Sequence, residues 1–294
     1  MAVPVPAEQL FSIGDLPVTN SMVNAWVAVA AFVLLAAVLR RPKSGVPHGI
    51  QNAAEALVEF MLGFMDQVTG DRAKSRRFFP LVGTLFLFIL LSNWMGLLPG
   101  VGTLGLTGEH GHLIPIFRPA TSDLNMTLAM GISAVLLSHV FGMAAIGFFR
   151  HWNKFIQLGS FWKALTGFRG KSAVDYLVGL FVAFIELGVG LIELVSEVAK
   201  VVSLSLRLFG NVFAGEVLIH VISSLIAFGV PIPFMFMEVI VGLVQALVFS
   251  ILTLVYLTIA TSAPHGDEGH EEGDAKGHRQ HGGEGEPEPL RAAA

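Results

Sequence analysis

The feature that most limits the fold is a nearly continuous apolar block that runs from Val174 to Thr261. Residues 174–228, as a single helix, would be roughly 80 Å long, whereas the hydrocarbon core of a bilayer is about 30 Å thick. A helix of that length has to be strongly tilted, broken, or both. After a turn signal at 229–231 the chain returns through residues 232–261, which predicts a long tilted helical hairpin.

Shorter apolar segments precede this block. Residues 22–39 carry no charge, and residues 78–98 and 124–149 are also about as long as the 20 residues that cross a bilayer as a helix. The stretch 50–68 is amphipathic, a pattern that favours a helix lying in the membrane interface. The sequence therefore predicts an all-α membrane protein with about five membrane-embedded helices and one interfacial amphipathic helix, in a membrane domain over 22–262.

The composition agrees with this class. Hydrophobic residues make up 53% of the chain and charged residues 14%, against about 25% charged in soluble domains. Basic residues are scattered through loops, so the stripe of positive charge typical of a nucleic-acid-binding protein is missing. The chain has no cysteine, which excludes disulfides, thiolate metal sites and thiol chemistry.

Loop charges predict the orientation. Segment 40–77 holds seven Lys and Arg residues and segment 150–171 holds five, whereas segment 99–123 has only Arg118 and residues 1–21 have none. Because basic loops stay in the cytoplasm, the N-terminal segment is expected outside and the C-terminus inside. Five crossings give the same parity.

Residues 263–294 differ from the rest of the chain, because they are rich in Gly, His and Glu and have almost no apolar residues. We expect a disordered cytoplasmic tail. Its four histidines show no fixed ligand spacing, so no metal site is predicted; they are His265, His270, His278 and His281.

Motifs of enzymatic catalysis are missing. The sequence Gly-Lys-Ser at 170–172 ends like a phosphate-binding loop, but the glycine required five residues earlier is Leu165 and no strand precedes it. HExxH is absent, and Ser133 has no evident base partner. The sequence predicts a non-catalytic chain that binds no cofactor and no nucleotide.

Ionisable side chains inside the apolar block are the strongest functional signal, because a charge at membrane depth costs a few kcal/mol even on lenient scales. Of the eighteen Lys and Arg residues, only two lie there. On a helix with 100° per residue, these two basic residues and three acidic residues all lie within a sector of about 80°. The five residues of this polar stripe are Glu186, Glu193, Glu197, Lys200 and Arg207.

Two interpretations of the stripe remain open. Lys200 could pair with Glu193 or Glu197, and such buried ion pairs could simply hold helices together. Arg207 differs, because its guanidinium stays protonated at any accessible pH and no acid lies beside it on its own helix turn. We therefore expect its partner on another helix or another subunit.

A second polar group lies beyond Arg207. Glu216, nine residues later, turns to the opposite side of the helix, and His220 follows one turn on. On the returning arm, Glu238 and Gln245 lie seven residues apart on one face. The hairpin can bring Glu216 and Glu238 to a similar depth, where we expect two carboxylates to titrate as a coupled pair.

Four sequence segments carry a family resemblance. They are SLSLRLFGNVFAGE from Ser203 to Glu216, the arm with Glu238 and LVQALVFSILTLVYL, Asn93 in SNWMGLLPG, and TSDLN at 121–125. In this order they resemble subunit a of F-type ATP synthase, over residues 20 to 262. The first segment is the most specific of the four.

The resemblance implies a proton-translocating stator subunit with two half-channels, beside a rotating ring of proteolipid c subunits that each carry a carboxylate. Arg207 matches the arginine that faces this carboxylate and separates the half-channels, and Glu216 and Glu238 match outer channel positions. Many bacterial relatives place one acid and one histidine at those two positions. Because this chain has Glu at both, it stays open whether Glu216, Glu238 or His220 relays the proton.

Further implications of the resemblance concern the interface and the partners. Asn211 and Gln245 match polar positions that line it, and Glu193 matches the acid of the cytoplasmic channel. Glu186, Glu197, Lys200 and Ser203 form a secondary polar stripe. The implied partners are the c-ring, the b subunits of the peripheral stalk and lipid, in a bacterial plasma (inner) membrane. Selection between H⁺ and Na⁺ is expected in the ring's own site.

Two other function classes fit the charges alone. A secondary transporter could carry a small anion on Arg207, which requires substrate-dependent flux by this chain by itself. A structural anchor of a respiratory complex could use the same charges for assembly, and it would tolerate the loss of Arg207.

Overall fold

A computed structural model describes residues 6–39, 49–98, 105–107, 113–155, 173–226 and 229–262. The α-helices in these ranges are α1 Asn20–Leu39, α2 Ile50–Thr69, α3 Arg72–Gly96, α4 Leu124–Ile146, α5 Phe148–Phe155, α6 Ala173–Leu225 and α7 Pro231–Thr261. Two short antiparallel hairpins join β1 Gln9–Ile13 to β2 Leu16–Thr19 and β3 Gly105–Thr107 to β4 Leu113–Pro115. The predicted disordered tail, 263–294, lies outside the described residues.

Five helices are long and apolar enough to cross a membrane, namely α1, α3, α4, α6 and α7, with mean hydropathies between 1.8 and 2.4. This confirms the predicted all-α membrane class. Helix α6 is continuous over 53 residues, which at 1.5 Å per residue is about 80 Å. Of the alternatives open from the sequence, a break is therefore absent between Ala173 and Leu225, and a steep tilt is what would keep α6 within a 30 Å core.

Two helix ends differ from the sequence expectation for local reasons. Helix α3 begins at Arg72, because the Asp71 carboxylate accepts a hydrogen bond from the Ala73 amide and caps the helix before its apolar part starts. Helix α4 ends at Ile146, because Gly147 has a φ of 96°, a conformation that side chains rarely adopt. The residues that follow form α5 instead of extending α4.

The two β-hairpins were not predicted. In the first, four residues of β1 pair with the four residues of β2 immediately before α1 begins at Asn20. Asn20 donates from Nδ2 to the carbonyl of Pro115 at the end of β4. This bond connects the N-terminal hairpin region to the segment that precedes α4.

The amphipathic helix α2 buries Met61, Leu62 and Met65. Its exposed side carries Glu59 and its end carries Asp66, which accept hydrogen bonds from Arg72 at 2.7 and 2.6 Å. Residues around Asp66 lower the pKa of its carboxyl, chiefly through a hydrogen bond from Ser75. Helix α2 thus presents one apolar side to the bundle and a charged side away from it.

The core lies between α3, α4, α7 and the C-terminal half of α6. Among its fully buried side chains are Phe86, Ile89, Leu204, Leu208 and Leu254. The N-terminal half of α6 is different, because its large apolar side chains are mostly exposed. Among the described residues, the C-terminal half of α6 therefore has most of the buried side chains of this helix, and it carries Arg207 and Glu216.

Candidate functional site

Arg207 lies on an exposed side of α6. Ser203 and Asn211, one turn before and one turn after it, are exposed as well, whereas the adjacent Leu204 and Leu208 are buried in the core. Within the described part of the chain, the guanidinium of Arg207 forms no ion pair and no hydrogen bond. The side of α6 with Ser203, Arg207 and Asn211, called here the arginine face, is therefore directed away from the helices of its own chain.

Glu216, on another side of α6, forms an ion pair with a residue that sequence analysis treated only as a loop charge. The Nε atom of Arg118 lies 3.0 and 3.1 Å from the two carboxylate oxygens of Glu216. Arg118 also donates from Nη1 to the carbonyl of Pro6 at 3.2 Å, and its guanidinium lies 5.9 Å from the ring centre of Phe213. With only 3% of its surface exposed, Arg118 is a buried cation that positions Glu216.

Sequence reasoning missed Arg118 because 98 residues separate it from Glu216. A weak signal existed, since Arg118 is the single Lys or Arg between 99 and 123. Its Nη2 atom is buried and has no hydrogen-bond partner among the described residues. The guanidinium therefore retains an unused donor beside Glu216.

Glu238 lies buried on α7, 7% exposed, and packs against Gly215 of α6. A Cβ atom added to Gly215 would overlap the carboxylate of Glu238. Because Gly215 precedes Glu216, the two acids Glu216 and Glu238 occupy neighbouring places. Among the described residues, Glu216 has a cation beside it and Glu238 has none. Glu238 forms no hydrogen bond with the described residues. His220 is exposed and likewise forms none.

Helix α7 is held near Glu238 by the end of α3. Asn93 donates from Nδ2 to the carbonyl of Gly242 at 3.2 Å, and Trp94 donates from Nε1 to the carbonyl of Val239 at 3.1 Å. The hydroxyl of Thr121 donates to Oδ1 of Asn93, which fixes the orientation of the amide. Two of the segments that carried the resemblance, around Asn93 and Thr121, thus position the backbone between Glu238 and Gln245.

Gln245 lies on α7, seven residues after Glu238. Its side chain is buried, and it forms no hydrogen bond with Arg207 or Asn211. Glu238 and Gln245 instead share the buried side of α7, which also carries Gly242. The sequence resemblance places Gln245 at the interface with a partner, and in the isolated chain the side chain faces inward.

The polar stripe on α6 contains an ion pair that the sequence left open. Lys200 donates to the Glu197 carboxylate at 2.6 Å, and its ammonium lies 5.3 Å from the ring centre of Tyr256 on α7. The other oxygen of Glu197 lies 3.5 Å from Nε2 of His139 on α4. His139 belongs to no sequence motif considered above, and only packing of α4 on α6 brings it to Glu197. Glu193 is partly buried one turn earlier.

Glu186 is also partly buried, three turns of α6 before Glu197. One of its carboxylate oxygens, Oε2, is buried with no hydrogen-bond partner among the described residues. Glu197 connects the stripe to Lys200 and, across α4, to His139.

Comparison with known proteins adds an independent observation. Residues 22–258 match the family described as ATP synthase A chain. The chain is 29% identical over 249 residues to ATP synthase subunit a of Moorella thermoacetica, covering 85% of this chain and 94% of the relative. It is 30% identical over 258 residues to ATP synthase subunit a of Trichlorobacter lovleyi, covering 88% and 94%.

A third relative, ATP synthase subunit a of Syntrophobacter fumaroxidans, is 30% identical over 264 residues, which cover 89% of this chain and 92% of the relative. The matched region contains the arginine face, the Arg118–Glu216 pair, Glu238 and the group around Glu197. The resemblance seen in four segments is confirmed over most of the sequence. The chain belongs to the ATP synthase A chain family.

Proposed function

We propose that this chain is the proton-translocating stator subunit of the membrane sector of F-type ATP synthase, with Arg207 separating two half-channels beside a c-ring. Family membership implies a proton-translocating stator subunit. The observation that supports the finer assignment is the exposure of Arg207 without a partner from the described chain. The subunit is a non-catalytic channel component.

Because Arg207 is exposed, we expect an anionic partner from another subunit. A guanidinium that faces lipid is costly and cannot lose its charge at an accessible pH. A carboxylate on a neighbouring subunit meets this need, and a ring of such carboxylates meets it repeatedly. We therefore assign the arginine face to contact with the c-ring.

Arg207 favours the ionised form of the ring carboxylate, because opposite charges at close range stabilise each other. A protonated ring carboxyl that reaches Arg207 therefore releases its proton. The fixed positive charge also opposes direct passage of protons between the half-channels. A membrane potential of 100 mV supplies about 2.3 kcal/mol per proton to this process.

The outer half-channel is assigned to Glu216, Glu238 and His220. Arg118 holds Glu216 in place. Glu238 has no cation beside it in the described part of the chain and is the acid assigned to exchange protons. In synthesis, protons enter here and protonate the ring, and they leave on the cytoplasmic side through the half of α6 that carries Glu193 and Glu197.

The multi-pass chain is assigned to the bacterial plasma (inner) membrane, with the N-terminus outside and the C-terminus in the cytoplasm. This orientation rests on the basic loops at 40–77 and 150–171. The b subunits of the peripheral stalk are the second protein partner, because a stator has to be held against rotation.

Two rival functions predict different results in transport experiments. An anion transporter that uses Arg207 needs substrate-dependent flux from this chain alone, and a structural anchor tolerates the loss of Arg207. Neither accounts for an arginine face that carries small and polar residues at 203 and 211 in a chain of this family.

Crosslinking tests the assignment of the arginine face. The chain has no cysteine, so Ser203→Cys or Asn211→Cys introduces a single thiol on this face. In the assembled complex we expect each to form a disulfide with a cysteine in the outer helix of the ring subunit, detected as a band of the combined mass. Val33→Cys, on the exposed side of α1, is the control and is expected to form none. Equal crosslinking from Val33→Cys would contradict the assignment.

The outer acids give a second test. Glu238→Gln is expected to slow ATP synthesis driven by an imposed proton gradient by about tenfold, since a positioned proton-transfer group contributes at least that much. Gly215→Ala should give a related loss without removing any ionisable group, because its methyl group displaces the Glu238 carboxylate. Gly188→Ala, an exposed position of α6 with open space around it and away from the arginine face, is the control for the helix itself.

A double-mutant cycle then tests the predicted coupling. If Glu216 and Glu238 act as one site, the loss in Glu216→Gln/Glu238→Gln is smaller than the product of the single losses. Multiplicative losses across a pH series would show two independent sites, and the inlet would then pass through His220 or water.

A further inference from the structure

Two histidines on the cytoplasmic side of the bundle lie in line with Glu197. His139 of α4 is 3.5 Å from Glu197 through Nε2, and its other ring nitrogen, Nδ1, is 3.1 Å from Nε2 of His151 in α5. The two rings meet at an interplanar angle of 71° with centroids 5.4 Å apart. Three ionisable groups from three helices thus form a continuous chain of contacts.

We infer that His139 and His151 form a proton relay that connects Glu197 with the cytoplasmic surface. The inference rests on the proposed function, because it specifies the path of the cytoplasmic half-channel. It assigns a role to two histidines that lie outside the segments on which the family resemblance rests.

The ring of His139 suits a relay because both of its nitrogens are engaged. A neutral imidazole accepts a proton on one nitrogen and donates one from the other. In the synthesis direction, the carboxylic acid of Glu197 gives its proton to Nε2 of His139, and Nδ1 of His139 gives its proton to Nε2 of His151. His151 releases a proton from its other nitrogen, Nδ1, which is buried, so a water molecule has to reach this nitrogen to carry the proton to the cytoplasm. Exchange of protons with water then returns both imidazoles to their first tautomers, and no net charge remains.

Helix α5 places the end of this chain at the membrane surface. Phe148, Phe149 and Trp152 are exposed on α5, an arrangement of aromatic side chains that is typical of the membrane interface. His151 points the other way and is only 4% exposed. The basic segment 150–171 begins in this helix and marks the side as cytoplasmic.

The packing around His151 leaves little freedom for its ring. A Cβ atom added to Gly142 of α4 would lie 2.6 Å from Cε1 of His151 and 2.7 Å from the carbonyl of Ala260. The close approach of α4, α5 and α7 therefore depends on the missing side chain at 142. Because this packing fixes the ring of His151, the distance between its Nε2 and Nδ1 of His139 stays short.

Glu197 and Lys200 of α6 and Tyr256 of α7 lie beside the relay. Glu197 and Lys200 form the ion pair described above, and the phenol ring of Tyr256 lies under the Lys200 ammonium. Lys200 raises the local positive potential, so it opposes a permanent second charge on His139. Glu197 lies ten residues before Arg207, about 15 Å along α6. The relay thus begins on the cytoplasmic side of the arginine face.

Reconstituted vesicles that contain the complete complex test the relay. During ATP-driven pumping the relay runs in reverse and takes up protons from the cytoplasmic side of the complex. Added ATP drives only those vesicles whose complexes have this side facing outward. We expect His139→Gln and His151→Gln each to lower the initial pumping rate by about tenfold, with the largest effect at high external pH. His270→Gln, in the tail, is the matched control.

Chemical rescue separates a relay from a structural role. His151→Ala is expected to lose pumping in the same way and to recover when imidazole is added outside, whereas a variant that merely disturbs packing gains nothing from imidazole. Normal rates in both His→Gln variants would overturn the relay, as would losses that follow the amount of assembled complex and resist imidazole. Normal pumping by Arg207→Ala would contradict the proposed function itself. An inactive Arg207→Ala together with normal histidine variants would contradict the relay alone.

Discussion

Replacement of Arg207 by alanine is expected to abolish ATP-driven proton pumping by the reconstituted complex, with a loss of about 100-fold or more, the scale seen when a preorganised electrostatic group is removed. Without the guanidinium, the ring carboxylate keeps its proton as it passes the stator, and rotation is no longer coupled to transport. The complex should still assemble, because Arg207 is exposed and binds no described residue of its own chain.

Two further variants sharpen this test. Arg207→Lys should also be severely impaired, because an ammonium does not reproduce the planar fork of a guanidinium. Arg77→Ala removes another exposed arginine, which forms no ion pair in the described residues, and it should pump normally. Pumping is followed by the quenching of a pH-sensitive dye. Normal coupled pumping by Arg207→Ala would remove the central role assigned to this residue.

Replacement of Arg118 by glutamine is expected to give the second large effect, here on assembly as well as on transport. The substitution leaves Glu216 beside a buried site without its cation. Breaking one side of a buried ion pair costs about 3 kcal/mol or more. We expect less of the subunit in the purified complex and a lower midpoint of thermal dissociation.

The double variant Arg118→Gln/Glu216→Gln separates the two effects. It leaves no charge unpaired, so the amount of assembled complex should recover, whereas proton entry from the outer side should stay slow because the Glu216 carboxylate is gone. Arg72→Gln is the matched control, since Arg72 forms ion pairs with Glu59 and Asp66 at an exposed site and such pairs are worth about 1 kcal/mol or less. Equal effects of Arg118→Gln and Arg72→Gln would contradict the importance of the buried pair.

Local properties of the sequence determined the helices. Segments such as 22–39 are apolar over a length that fits a bilayer, and this depends only on the residues within the segment. The isolation of Arg207 is local too, because it follows from a charge that cannot be removed and from the absence of an acid on its helix turn. The family was also accessible, through the segment from Ser203 to Glu216.

The ends of the helices were harder to predict, because single capping residues and backbone conformations determine them. The cap by Asp71 and the positive φ of Gly147 shift the ends of α3 and α4. Each shift depends on a single residue, which the hydropathy of the surrounding stretch does not reveal. The β-hairpins before α1 and α4 gave no signal that was recognised in the sequence.

Only the tertiary structure decided which polar groups meet. Arg118 reaches Glu216, Glu238 packs against Gly215, and His139 joins Glu197 to His151. Each of these contacts links different helices or segments. In water, the apolar side of a helix indicates where its neighbours lie. In a bilayer this contrast is lost, because lipid tails are as apolar as leucine and helices associate through close packing and hydrogen bonds. The hydropathy of α4, α6 and α7 therefore predicts that these helices cross the membrane, whereas their neighbours depend on packing at residues such as Gly142 and Gly215.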